Sequence, residues 1–163
     1  MDDKDRLVLH ILEENSRVPI EELATMVELP VHEAEDRIRA LEAAGAIRKY
    51  SAVIDWEKAG DSEVTSIIAL KVSPERDFGY DKIAERIARF REVKTLRLVS
   101  GRYDFIIVVT GRTMQEVARF VSEHIAPMER INETSTQFVM KTYKENGTPY
   151  DERIAGERLP YSF

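Results

Sequence analysis

Apolar positions recur at helical spacing through about the first 45 residues and at strand spacing from residue 63 on, so the chain reads as two unlike parts. Leu7, Val8, Ile11 and Leu12 mark a helix over about 3–14, and Asp2, Asp3 and Asp5 sit at its start, where carboxylates suit the helix dipole. A second helix is signalled by Pro19 in the first-turn position, then Glu21 and Glu22, with Leu23, Ala24 and Val27 on one face. Pro30 breaks it. Ala34, Ile38 and Leu41 follow at i, i+4 and i+7, and Gly45 stands where a helix commonly ends. Three such helices, the last two about four residues apart, make a helix-turn-helix. Residues 47–54 (IRKYSAVI) read as a strand, either a wing or a connector.

The second part alternates. Residues 64–72 predict a strand with Ile68, Leu70 and Val72 on one face, and 80–90 a helix with the stripe Ile83, Ala84 and Ile87. Residues 93–99 and 105–109 are further strands; the latter is apolar on both faces and is predicted to lie near the middle of a sheet, covered on two sides. Thr113 caps a helix carrying Met114, Val117, Ala118, Val121 and Ile125, ended by Pro127. The last strand is predicted over 132–143, with Phe138 and Met140 on one face. Met114 and Met140 are expected in the core. The order is βαβ twice, the ferredoxin-like split pattern, as a weak repeat of about 40 residues.

Composition narrows the class. The 163 residues allow one domain or two small ones, and 43% hydrophobic with 33% charged content is that of a soluble globular protein. No apolar run approaches the roughly 18 residues that span a bilayer, no signal-peptide pattern opens the chain, and cysteine is absent, so a cytoplasmic protein without membrane contact is expected. His10, His32 and His124 lie far apart without metal-ligand spacing, and neither a phosphate-cradling glycine loop nor a nucleophile elbow occurs. An enzyme, a metal site and a cofactor are therefore not expected. Charge is uneven. Of 24 Lys+Arg and 30 Asp+Glu, residues 1–60 hold 8 and 14, so the whole net charge of −6 lies there and the rest balances.

The connection between the strands 93–99 and 105–109 has a chemistry of its own. Gly101 would let backbone N–H groups approach an anion, and Asp104 offers an acceptor to a cation, the two halves of a zwitterion site. The same residues also suit a plain tight turn with a capping Asp.

Asp5 to Leu12, Glu22-Leu23-Ala24, and above all Arg37-Ile38-Arg39-Ala40-Leu41-Glu42 with Gly45-Ala46-Ile47, resemble the DNA-binding half of the Lrp/AsnC regulators, where an R-[VI]-x-x-L-E-x-x-G-x-I pattern closes the recognition helix. Tyr50, Ile54 and Asp55 are similar to the linking strand of that family. Val99-Ser100-Gly101-Arg102-Tyr103-Asp104 resembles its V-[ST]-G-x-[YF]-D effector loop, and Thr134 and Thr136 stand where its last strand carries threonines.

The resemblance covers about residues 2–144 and implies an α+β protein. Residues 1–60 would be an N-terminal winged helix-turn-helix with a linking strand, and 61–144 a ferredoxin-like, ACT-like RAM domain. Residues 145–163 would be a tail whose Leu159, Tyr161 and Phe163 are expected to dock. It further implies double-stranded DNA as a partner, a homodimer and higher assemblies such as an octamer of four dimers. The implied effector is a free amino acid or relative, its carboxylate at backbone N–H groups near Ser100 to Arg102 and its ammonium at Asp104 or at a neighbour's Thr134 and Thr136. Arg37, Arg39, Arg48 and Lys49, with Arg17 on the turn, are the expected phosphate contacts, while His32, Glu33 and Asp36 share the exposed face of the recognition helix. A carboxylate there can read cytosine N4, giving selectivity at a cost in affinity. That face, made of His32, Glu33, Asp36, Arg39 and Ala40, is acidic at two of its five positions, which leaves a second reading open: an amino-acid-sensing oligomer whose DNA binding is weak or lost.

Overall fold

The computed structural model describes residues 1–61, 63–76 and 79–151. It divides into two units, Met1–Val53 and Ile54 onward.

The first unit is helical. α1 (Asp3–Glu14) begins in a reciprocal capping box: the Asp5 amide donates to the Asp2 side chain and the Asp2 amide to the Asp5 side chain, both at 2.8 Å. α2 (Ile20–Met26) follows Pro19, which occupies the cap and not the first turn. α3 (Val31–Ala43) ends as the sequence predicts. Gly45 has φ +70° and its amide donates to the Glu42 carbonyl, while the Ala46 amide reaches the Leu41 carbonyl, together a Schellman motif. Val8, Leu23, Ala24, Val27, Ala34 and Leu41 are buried between the three helices, with Ile11, Leu12, Ile38 and Ile47 packed around them.

Residues 47–54 form no strand. A strand exists only with a second one in hydrogen-bond reach, and no ladder partner stands beside this stretch among the described residues. The head is a three-helix unit without a wing.

The second unit runs β1 (Val64–Val72), α4 (Asp81–Ala88), β2 (Val93–Leu98), β3 (Phe105–Gly111), α5 (Met114–Phe120) and β4 (Ile131–Phe138). The antiparallel sheet has the order β2-β3-β1-β4, the ferredoxin-like arrangement. Ile68, Leu70 and Val72 of β1 and Phe105, Ile107 and Val109 of β3 are buried against Ile83 and Ile87 of α4 and against Val117, Phe120, Val121 and Ile125, where α5 continues into a π turn (Val121–Ile125). β3 lies inside the sheet as expected, but the helices cover only one of its faces. Ile106 and Val108, on the other, are only partly buried, and Ile67 beside them is exposed.

The last strand is shorter than its apolar pattern suggests. After the Val139 amide donates to the Thr65 carbonyl the ladder ends, and Met140 is 87% exposed. Met114, in the first turn of α5, is also exposed. Neither methionine belongs to the core, because each lies beyond the span its element shares with the sheet. Asn146-Gly147, both at positive φ, join β5 (Lys144–Glu145) to β6 (Thr148–Pro149) as a two-residue hairpin turn. The docking expected of Leu159, Tyr161 and Phe163 falls outside the described residues.

Gly111 marks where α5 meets the sheet: a Cβ there would stand 2.9 Å from Val117 Cγ2. Gly111→Ala should lower stability by about 1–3 kcal/mol, the usual range for overpacking a filled site. Urea unfolding of the variant reads this out, and an unchanged midpoint would mean that α5 yields freely.

Candidate functional site

Two places in the chain carry the chemistry the sequence singles out: the exposed side of α3 with its flanks, and the loop between β2 and β3.

On α3 the arginines are already engaged. Arg37 turns back toward α1, its Nη1 donating to Asp2 at 2.7 Å and to Asp5 at 2.8 Å, while Nη2 donates to Glu33 at 3.2 Å. Its side chain is only 24% exposed. Three carboxylates around one guanidinium hold its proton more firmly than usual, through the hydrogen bonds it donates to Asp2, Asp5 and Glu33 in that order. The bond from Arg37 in turn pulls the Asp2 carboxyl down from its ordinary 3.8 to about 2. Arg37 thus clamps α3 to the capping box of α1, and the expectation of a free phosphate contact fails for it. Its partners lie 32 and 35 residues away, which no local pattern shows.

Arg39 is exposed and paired with Glu35 and Asp36. His32 is exposed at the start of the helix. Arg17, Arg48 and Lys49 are exposed, and among the described residues no carboxylate pairs with them. With Lys4, whose ammonium donates to the Glu28 carbonyl, they are the cations of this unit that no carboxylate pairs among the described residues.

The β2–β3 loop begins and ends on backbone bonds. The Val99 amide donates to the Asp104 carbonyl and the Asp104 amide to the Leu70 carbonyl, both at 2.9 Å. Gly101 has φ +126°, and a Cβ there would meet nothing within 4 Å, so backbone conformation alone demands glycine and the space beside it is open. Ser100 and Arg102 are exposed, and Tyr103 is half-buried.

Asp104 does not wait for a ligand. Its Oδ2 accepts from the Val72 amide at 2.8 Å, and its carboxylate also accepts from Lys71 Nζ and Tyr80 Oη at 3.2 Å each. The Val72 amide is the main reason its carboxyl titrates below the ordinary value, with Lys71 and Tyr80 adding to the effect against the opposing pull of burial. The same contact, after burial itself, raises the Tyr80 phenol. The expected ammonium acceptor is thus engaged within the fold, and its side chain caps no amide of the loop itself but ties the loop's end to β1 and to the start of α4.

Thr134 and Thr136 pair with Leu70 and Ile68 and so share the helix-covered face of the sheet, away from Arg102 and Tyr103. Glu133, one residue earlier, lies opposite Lys71 on the other face, and both loop side chains reach it. Arg102 Nη2 donates to Glu133 Oε1 at 3.2 Å and Tyr103 Oη at 2.9 Å. Sequence reasoning missed Glu133, Lys71 and Tyr80. The charge of Glu133 and Lys71 at alternate strand positions was the signal available.

Residues 65–149 match the family model described as the Lrp/AsnC ligand binding domain, and residues 1–42 match that of the AsnC-type helix-turn-helix domain. The chain belongs to the Lrp/AsnC family of transcriptional regulators. It is 42% identical over 161 residues to the HTH-type transcriptional regulator YugG of Bacillus subtilis, covering 98% of this chain and 97% of that one. It also resembles the crystal structure of an AsnC family transcriptional regulator from Agrobacterium tumefaciens, at 28% identity and TM-score 0.69 over 89% of this chain and 94% of that one. A transcriptional regulator from Neisseria meningitidis solved as an L-Met complex shares the fold, with TM-score 0.71, 23% identity and coverage of 91% and 95%. The Lrp/AsnC protein described here thus joins a DNA-binding helix-turn-helix head to a ligand-binding domain.

Two outcomes follow from the ion networks. Arg37→Gln should make the head melt earlier at neutral pH, whereas Arg39→Gln, whose partners are exposed, should leave melting unchanged. Because the folded Asp2 carboxyl lies below its unfolded value, its contribution is full above about 3.8 and is lost as pH falls through about 2. Arg37→Gln should flatten the melting temperature across that window, which calorimetry at stepped pH checks. Asp104→Asn should destabilise the second unit by about 1–3 kcal/mol, since Val72, Lys71 and Tyr80 lose a charged acceptor. Its folded carboxyl also titrates below the ordinary 3.8, so this loss should be full at neutral pH and shrink in acid. Equal melting of the variant and the wild type at pH 7 would remove Asp104 from the fold's supports.

Proposed function

We propose that this regulator acts as a homo-oligomer that senses a free amino acid or close relative at residues 99–104 and passes the signal to DNA bound by its heads. The observation that carries the effector half is Gly101 at φ +126° with open space beside it, where backbone N–H groups flanked by exposed Ser100 and Arg102 can receive a carboxylate. The L-Met complex of the Neisseria relative supports the same class of ligand. A homodimer is supported by the uncovered sheet face with Ile67, Ile106 and Val108, and an assembly of four dimers is the further tier proposed with it. Cytoplasmic location and the lack of catalytic activity form part of this reading; among the described residues no helix is long and apolar enough to cross a membrane.

Affinity for duplex should rest on Arg17, Arg48 and Lys49, with His32, Glu33 and Asp36 tuning selectivity. A head at −6 with half of its cations paired to carboxylates is a poor generic polyanion binder, and two heads on one dimer compensate by effective concentration.

The test is binding-site selection at low and physiological salt, with and without a pool of the twenty amino acids. Specific sites at both salts, shifted by the pool, are the expected result. Arg48→Gln with Lys49→Gln should then weaken operator binding and reduce the log–log salt slope by about 2, roughly one per lost phosphate contact. Arg39→Gln should alter it little. An unchanged slope in the double variant would place the phosphate contacts elsewhere. No enriched site at any salt would favour the second reading, a sensing oligomer without DNA function.

A further inference from the structure

With Asp104 committed to the fold, the effector loop needs another anion if it is to select an ammonium group, and one is close. Glu133 is the only carboxylate among the described residues that Arg102 and Tyr103 touch. Both donors converge on Oε1, and among the described residues no donor reaches Oε2. The neighbouring cation, Lys71, is drawn to Asp104, so Arg102 is the ion partner Glu133 has.

That pair is built to open. Arg102 is 77% and Glu133 47% exposed, and an ion pair in water contributes little. The guanidinium also lies 5.2 Å from the centre of the Tyr103 ring, a platform that holds it near the loop when the carboxylate lets go. Tyr103 keeps Glu133 oriented from the other side.

We propose that Arg102 and Glu133 are the charge pair that recognises the zwitterion of an α-amino acid. Ligand entry exchanges their mutual contact for two new ones: the ligand carboxylate takes the Arg102 guanidinium and the open backbone at Gly101, and the ligand ammonium takes Glu133. One cation and one anion side by side fit that chemistry, whereas a diamine or a dicarboxylate would set like charges against one member. In the free protein the pair satisfies itself and bridges the β2–β3 loop to β4, so binding would release that bridge. This inference rests on the amino-acid reading above and assigns its charges.

Titration calorimetry on the full chain with each of the twenty L-amino acids comes first, followed by the N-acetyl and methyl ester derivatives of the best binder. Wild type should bind both derivatives at least ten-fold more weakly than the parent. E133Q should bind the parent at least ten-fold more weakly and no longer prefer it to the N-acetyl form. R102Q should lose the preference over the ester instead. Both side chains are exposed, and circular dichroism verifies that the variants fold. If wild type selects a free amino acid and E133Q and R102Q select it equally well, the charge assignment is overturned while the effector reading stands. If wild type binds none of the twenty, the effector reading falls and this assignment falls with it.

Discussion

The end of the sheet where the β2–β3 loop emerges depends on one carboxylate. The β1–β3 ladder closes at Leu70 and Phe105, and beyond it Val72 would present an amide without a strand partner on that side. Asp104 supplies the acceptor from its side chain and ties in Lys71 and Tyr80 with the same group. A buried amide left without an acceptor costs more than a typical hydrogen bond returns, so this arrangement fixes where the loop leaves the sheet. Tyr80 stands at the cap of α4, and its ring packs edge-on against Phe105, so the fastener also joins the helix layer to the strand it closes.

The head shows the same economy in reverse, with charges that look functional absorbed by local structure. Arg37 falls at the first position of the pattern that closes the recognition helix, yet it faces three carboxylates of its own unit. Such a clamp positions α3 against α1 and occupies the guanidinium within its own unit. Since every phosphate contact enters the salt dependence, a head with few free cations is expected to discriminate by fit rather than to hold DNA by charge.

Much of the fold was legible because it follows local periodicity. β1 has the bounds its alternation predicts, Gly45 ends α3 in the conformation that favours glycine, and Thr113 caps α5 through the Glu116 amide. What was not legible depends on partners remote in sequence. Residues 47–54 have strand-forming side chains, but pairing, not propensity, makes a strand. Met140 continues an apolar alternation past the point where the sheet has a neighbour to pack it. The engagement of Arg37 and Asp104 spans 24 to 35 residues, and no motif at those positions distinguishes a free charge from a spent one.

The two faces of β4 separate these roles by alternation alone. Thr134 and Thr136 turn toward the helices, and Glu133 turns toward the loop, because successive side chains on a strand point to opposite sides. Lys71 on β1 lies opposite Glu133 and yet leans to Asp104, so the sheet end carries two ion pairs of unlike exposure: Lys71–Asp104, with its carboxylate 14% exposed, and Arg102–Glu133, with its carboxylate 47% exposed. Shielding from water decides which of the two can exchange. The sheltered pair is held by a backbone amide and a phenol as well as by charge, while the exposed one has water and solutes competing for both members. A loop fixed at its root by the first pair and bridged at its tip by the second can respond at the tip without unravelling the sheet that holds it.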